Sequence, residues 1–126
     1  MSACKYLVDT NILIYYLEGE LEATDFIKSH FRKCGISQIN YLEIFSIPLD
    51  REEKTVIENF LKLFEVFDIN SMITKQAIHN RQSKKIKLAD NLIAATAQMH
   101  HLTLVTRNVK DFQNLPNLTL FNSFDQ

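Results

Sequence analysis

The stretch Lys5-Tyr6-Leu7-Val8-Asp9-Thr10-Asn11-Ile12-Leu13-Ile14-Tyr15-Tyr16-Leu17 decides the fold. Its first part, Lys5 to Val8, is a short apolar run that reads as a central strand. Asp9-Thr10-Asn11 breaks the run with residues that favour a helix start. Asn11 to Leu17 suits strand or helix by composition, and its place after that capping sequence predicts a helix. A buried strand, an acid and a helix in succession describe the carboxyl rim of an open α/β sheet, where ligands bind.

Two further junctions deliver an acid in the same way. Gly35-Ile36-Ser37-Gln38-Ile39 leads into Asn40-Tyr41-Leu42-Glu43, and Lys84-Lys85-Ile86-Lys87 leads into Leu88-Ala89-Asp90-Asn91 and a long apolar helix. Acids gathered on one rim repel one another unless cations lie between them. The pattern therefore points to a divalent metal site made by Asp9, Glu43 and Asp90. Each acid also has a structural explanation. Asp9 and Asp90 suit helix starts, and Glu43 lies three residues after Asn40, a capping-box spacing.

Elsewhere the chain alternates short apolar strands with helices. Strands are expected at Gly35 to Ile39, Val66 to Ile69, Leu102 to Thr106 and Leu118 to Phe121. Helices are expected at Ala23 to Phe31, at Tyr41 to Ile47 before Pro48, and at Arg51 to Phe64. Others follow from the Asn70-Ser71 cap to about Lys85, from Asp90 to His101, and as a short turn at Val109 to Asn114. In the Arg51 helix, Val56, Ile57, Phe60, Leu61, Leu63 and Phe64 form the expected buried stripe. Alternation of this kind predicts an α/β fold with a mainly parallel sheet covered on both faces.

Composition sets the remaining bounds. At 126 residues, a single domain spanning 1–126 is expected. Hydrophobic residues make up 46%, enough for a real core, while two glycines and two prolines are too few for an all-β sandwich. A net charge of −1 gives no global attraction to polyanions. Such attraction has to be local, from Arg81, Lys84, Lys85 and Lys87 or from Arg107 and Lys110, which otherwise read as solvated helix faces. Cys4 and Cys34 form no CxxC pair and read as cytosolic thiols. No apolar run approaches bilayer length and no leader-like segment opens the chain, so a soluble cytoplasmic protein is expected.

The residues also carry a family resemblance. Val8-Asp9-Thr10-Asn11-Ile12-Leu13, Leu88-Ala89-Asp90-Asn91-Leu92-Ile93-Ala94-Ala95-Thr96-Ala97 and Leu104-Val105-Thr106-Arg107-Asn108-Val109-Lys110-Asp111-Phe112 resemble, in order and spacing, motifs of PIN domains of the VapC toxin type. The resemblance covers essentially the whole chain. It implies a three-layer α/β/α sandwich and an endoribonuclease dependent on Mg²⁺ or Mn²⁺. Asp9 and Asp90 then look like the principal metal ligands, and Glu43 like the third acid. Thr10, Asn11 and Thr106 stand behind them as hydrogen-bonding or capping groups.

The family's fourth acidic position falls here at Asn108, a neutral amide, and Asp111 is the nearby acid able to replace it. Ala89 stands where relatives often carry proline. Arg107 and the lysines at 84, 85 and 87 are candidates for RNA phosphate contact. The resemblance further implies a VapB-like antitoxin and a homodimer. The apolar segment Tyr41 to Leu49 is a candidate for an antitoxin groove, or for ordinary core packing.

Two other classes remain open. An aspartyl-nucleophile phosphatase would want a second Asp two residues after Asp9, where this chain has Asn11. A catalytically degenerate PIN-like binding module would be compatible with Asn108.

Overall fold

Neighbouring residues of the first strand feed opposite layers of the molecule. Leu7 joins one buried cluster and Val8 the other, as the two-residue period of a strand requires. Leu104 and Val105, their register partners, divide in the same way. The computed structural model describes residues 3–125. Five strands, β1 (Tyr6–Val8), β2 (Cys34–Ser37), β3 (Glu65–Phe67), β4 (Thr103–Val105) and β5 (Thr119–Phe121), form a wholly parallel sheet in the order β3-β2-β1-β4-β5.

Helices α1 (Thr10–Leu17), α2 (Leu21–His30) and α4 (Arg51–Leu61) pack on one face through Ile12, Leu13, Phe26, Ile27, Ile57, Phe60 and Leu61. Helices α6 (Leu88–His100) and α7 (Val109–Phe112) cover the other through Ile93, Ala94, Ala97 and Phe112. Helix α5 (Ser71–Ser83) lies on α6, with Ile73 and Ala77 against Ala95. Helix α3 (Gln38–Phe45) leaves the end of β2 and sends Ile39 to one cluster and Ile44 to the other. It thus joins both layers at the carboxyl rim. The arrangement is the expected three-layer α/β/α sandwich. No helix among the described residues is long and apolar enough to cross a membrane.

Burial is nearly complete in the three central strands, β2, β1 and β4, and falls off at the edge strands β3 and β5. Each fully enclosed aliphatic such as Leu7, Ile36 or Leu104 contributes about 1.5–3 kcal/mol relative to exposure. Gly35 is tied to this packing, because a Cβ there would lie 2.5 Å from the Phe67 ring.

Several boundaries differ from the sequence expectation, each for a local reason. The second strand stops at Ser37 rather than Ile39, because the Ser37 hydroxyl accepts the Ile39 N–H and the helix begins at Gln38. The capping box at that helix joins Ser37 to Asn40, so Glu43 has no part in it. Helix α6 starts at Leu88, which puts Asp90 in its first turn instead of at its cap. Helix α5 ends at Ser83, where Lys84 takes an extended conformation. Val56 and Leu63, expected in the buried stripe of the Arg51 helix, are 61% and 59% exposed. The remaining stripe at Ile57, Phe60, Leu61 and Phe64 suffices to seat the helix.

Candidate metal centre

The sheet order reverses at β1, which lies between β2 and β4, so the crevice of a topological switch point opens at its carboxyl end. Asp9 is the first residue past β1. Its backbone N–H donates to Val105 O at 2.9 Å, which locks it beside the end of β4. Its side chain caps α1, accepting from Thr10 N at Oδ1 (2.8 Å), while Oδ2 accepts from the Thr106 hydroxyl at 2.7 Å. Capping therefore does not take Asp9 away from the rim. Asp9 is 5% exposed. Burial pushes its carboxyl up to about 6, the Thr106 and Thr10 hydrogen bonds oppose that rise, and the charges of Asp90 and Glu43 add to it.

Glu43 is half-buried on α3, and its Oε1 accepts from the Thr10 hydroxyl at 2.6 Å. Thr10 thus touches both acids, one through its backbone and one through its side chain. Asp90 is half-buried in the first turn of α6. Burial, Asp111 and Glu43 raise its carboxyl above the usual range, and Lys87 opposes them. Asp9, Glu43, Asp90 and Asp111 are therefore linked by mutual repulsion around one rim.

Of the two candidates for the fourth position, Asp111 is the charged one, and its charge bears on Asp90. It lies with Asp90 on a cavity of about 460 Å³ whose other walls are Arg81, Lys84, Lys85, Ile86, Lys87 and Lys110. Asn108 precedes α7 without a side-chain cap bond, and its backbone N–H donates to the Thr106 hydroxyl at 3.0 Å. Asn11 is not a cap either. It sits inside α1, and its Oδ1 is buried without a hydrogen-bond partner.

The basic candidates separate into two kinds. Lys85 and Lys87 are exposed on the cavity wall. Lys84 is occupied, its Nζ donating to Lys110 O (3.2 Å) and Gln113 O (2.7 Å) and tying α7 to the end of α5. Arg107 lies over the Phe124 ring at 4.3 Å and the Tyr15 ring at 5.2 Å, a cation–π arrangement that fixes its guanidinium beside α1.

One participant escaped the sequence reading. Asn40, fully buried, donates from Nδ2 to Thr10 Oγ1 at 2.8 Å. Its one visible signal was the Ser37-x-x-Asn40 capping-box spacing.

The donors on this rim are all oxygens, which suits a hard divalent cation such as Mg²⁺ or Mn²⁺ rather than zinc or copper. Among the described residues, no group of three or more His, Cys, Asp or Glu is already drawn together to metal-holding distance.

Comparison with known proteins places this geometry. A family model described as the PIN domain matches residues 6–118. The chain is 34% identical over 125 residues to a Rickettsia felis protein named ribonuclease VapC1, covering 89% of this chain and 91% of that one. It is 33% identical over 114 residues to ribonuclease VapC10 of Mycobacterium tuberculosis, covering 84% of each. In three dimensions it matches a chain of a toxin–antitoxin complex from Klebsiella pneumoniae, with a TM-score of 0.82, 32% identity and coverage of 94% and 98%. The chain belongs to the PIN domain family, in its VapC ribonuclease branch.

Proposed function

We propose that the chain is the toxin of a toxin–antitoxin pair, an endoribonuclease that hydrolyses RNA phosphodiester bonds at the Asp9–Glu43–Asp90 rim with Mg²⁺ or Mn²⁺. The observation that carries this reading is the state of Asp9. A carboxylate this buried, held only by neutral donors and repelled by two further acids, rises to about 6, and a cation beside it would restore the charged form.

Asp9, Glu43 and Asp90 would hold the cation, with Asp111 or the Asn108 amide oxygen as a further ligand. When bound, it supplies charge neutralisation for the phosphate and acidifies a water. Glu43 has Oε1 engaged by Thr10, which leaves Oε2 available to help hold the cation and to accept a proton from the attacking water. Thr106 and the Thr10 backbone fix both oxygens of Asp9. Exposed Lys85 and Lys87, with Arg81, line the approach and bind flanking phosphates, which gives affinity without sequence choice. Lys84 and Arg107 act instead by holding α7 and, through Tyr15, the C-terminal half of α1.

A cognate VapB-like antitoxin would cover the rim in a cytoplasmic complex, and the toxin would pair as a homodimer. Exposed Leu42 and Ile47 at α3, and the apolar groove of Tyr16, Ile27, Phe31, Phe60, Leu63 and Phe64, support such burial. A second reading draws on Asn108. One acid fewer than the family pattern favours a PIN-like module that binds RNA without cutting it.

Purified chain with RNA separates these readings. Cutting is expected only with Mg²⁺ or Mn²⁺, and Asp90→Asn should abolish it with the fold retained. Undiminished cutting by that variant rejects the site. Cation binding without cutting selects the binding module. Phosphate release from a small monoester, with RNA intact, selects an aspartyl phosphatase.

A further inference from the structure

Asn40 has one more hydrogen bond than the fold needs. Its Oδ1 accepts the Ser37 N–H at 2.6 Å and thereby completes the capping box of α3. An aspartate would serve that cap equally well. The amide nitrogen is left over, and it points into the site, donating to Thr10 Oγ1 at 2.8 Å. Because Ser37 fixes which end of the amide is oxygen, the direction of this second bond is determined. An amide nitrogen has no acceptor capacity, so Thr10 Oγ1 must accept from Asn40. The single hydroxyl proton of Thr10 is then free to point only at Glu43, whose Oε1 lies 2.6 Å away. That length falls within the charge-assisted range of about 2.5–2.7 Å for a hydroxyl on a carboxylate.

We propose that Asn40 is a positioning residue for Glu43, acting through the Thr10 hydroxyl, which it forces to donate. The relay runs Ser37 to Asn40 to Thr10 to Glu43, with every donor assigned. Asn40 is fully buried and Thr10 is 8% exposed, so little water competes for these bonds. The result is a Glu43 carboxylate held at one oxygen and presented at the other. The inference rests on the metal-site reading above.

A double-mutant cycle with Mn²⁺ tests it, using calorimetry on the full chain without RNA. Asn40→Asp keeps the acceptor for Ser37 and removes the donor to Thr10. It should weaken Mn²⁺ binding about tenfold, the lower end of the range for groups that orient metal ligands. Thr10→Val should weaken it similarly, Thr10→Ser should leave it near wild type, and the double variant should be no worse than Thr10→Val alone. Multiplying losses, or wild-type affinity in Asn40→Asp, overturns the relay while leaving the metal site standing. No Mn²⁺ binding by the wild-type chain overturns both. If Asn40→Asp does not fold, the residue-10 pair still decides, because equal Mn²⁺ affinity in Thr10→Val and Thr10→Ser shows that the hydroxyl holds nothing.

Discussion

Thr106 and Asp9, separated by 97 positions in the chain, are joined by a 2.7 Å hydrogen bond between the ends of β4 and β1. Thr106 is fully buried and also accepts the Asn108 N–H, so a single hydroxyl ties the principal acid to the start of α7. Its bond stabilises the charged form of Asp9. Thr106→Val should therefore raise the Asp9 carboxyl further and, with Mg²⁺ below saturation so that protons and cation compete for it, move the acid limb of the RNA-cutting pH profile upward. Stability should fall by about 1–3 kcal/mol for the orphaned Asn108 N–H and the lost bond. Thr106→Ser should restore the profile. The check is cutting rate against pH for the three proteins.

Asp9 should also shape stability in the absence of metal. Its folded-state carboxyl is raised from 3.8 to about 6, so between these values the folded state binds more protons than the unfolded chain. Its contribution is neutral below the unfolded value, and stability is lost as pH rises through the folded one. Asp9→Asn removes that cost and should stabilise the protein by about 2–3 kcal/mol at pH 7, with the gain vanishing near pH 4. Denaturant melts in a chelator across that range measure it. Added Mg²⁺ should raise the melting temperature of the wild type and leave the variant unmoved.

Lysines on the same cavity wall should behave differently. Lys85 and Lys87 are exposed, and replacing either by Ala should reduce the slope of log affinity against log salt for RNA by about 1. Lys84→Met breaks the two bonds to Lys110 O and Gln113 O, so it should lower cutting and loosen α7 with the salt slope unchanged. RNA binding in a chelator at several salt concentrations, with hydrogen exchange at Val109–Phe112, separates the two behaviours.

A buried amide network holds α5 on α6. Asn80, fully enclosed, donates to Asn91 Oδ1 at 3.0 Å and Gln98 Oε1 at 2.7 Å. Asn91 passes on to Ala77 O and Gln98 to Pro116 O. Asn80→Leu leaves two buried acceptors without their donor and should cost about 2–4 kcal/mol, read as a shifted denaturation midpoint with an unchanged slope.

What the sequence disclosed and what it hid divide along a physical line. Strand alternation at Leu7 and Val8, the cap at Asp9 and the break at Pro48 are local signals, and they place the sheet, the first acid and the chain reversal. Asn40 was hidden because its function needs Ser37 as a cap, and Ser37 read as mid-strand. Val56 and Leu63 read as core because helical periodicity does not say how wide a stripe the sheet will cover. The bonds of Lys84 to the carbonyls of Lys110 and Gln113, and the stacking of Arg107 on the Tyr15 and Phe124 rings, were hidden because only folding brings those partners together.

The most direct test of the whole reading is anomalous diffraction from crystals of the chain grown with Mn²⁺. A peak should lie within about 2.0–2.3 Å of carboxylate oxygens from both Asp9 and Asp90, with Glu43 or Asp111 beside it. Full Mn²⁺ occupancy elsewhere, with those two side chains touching no ion, would contradict it.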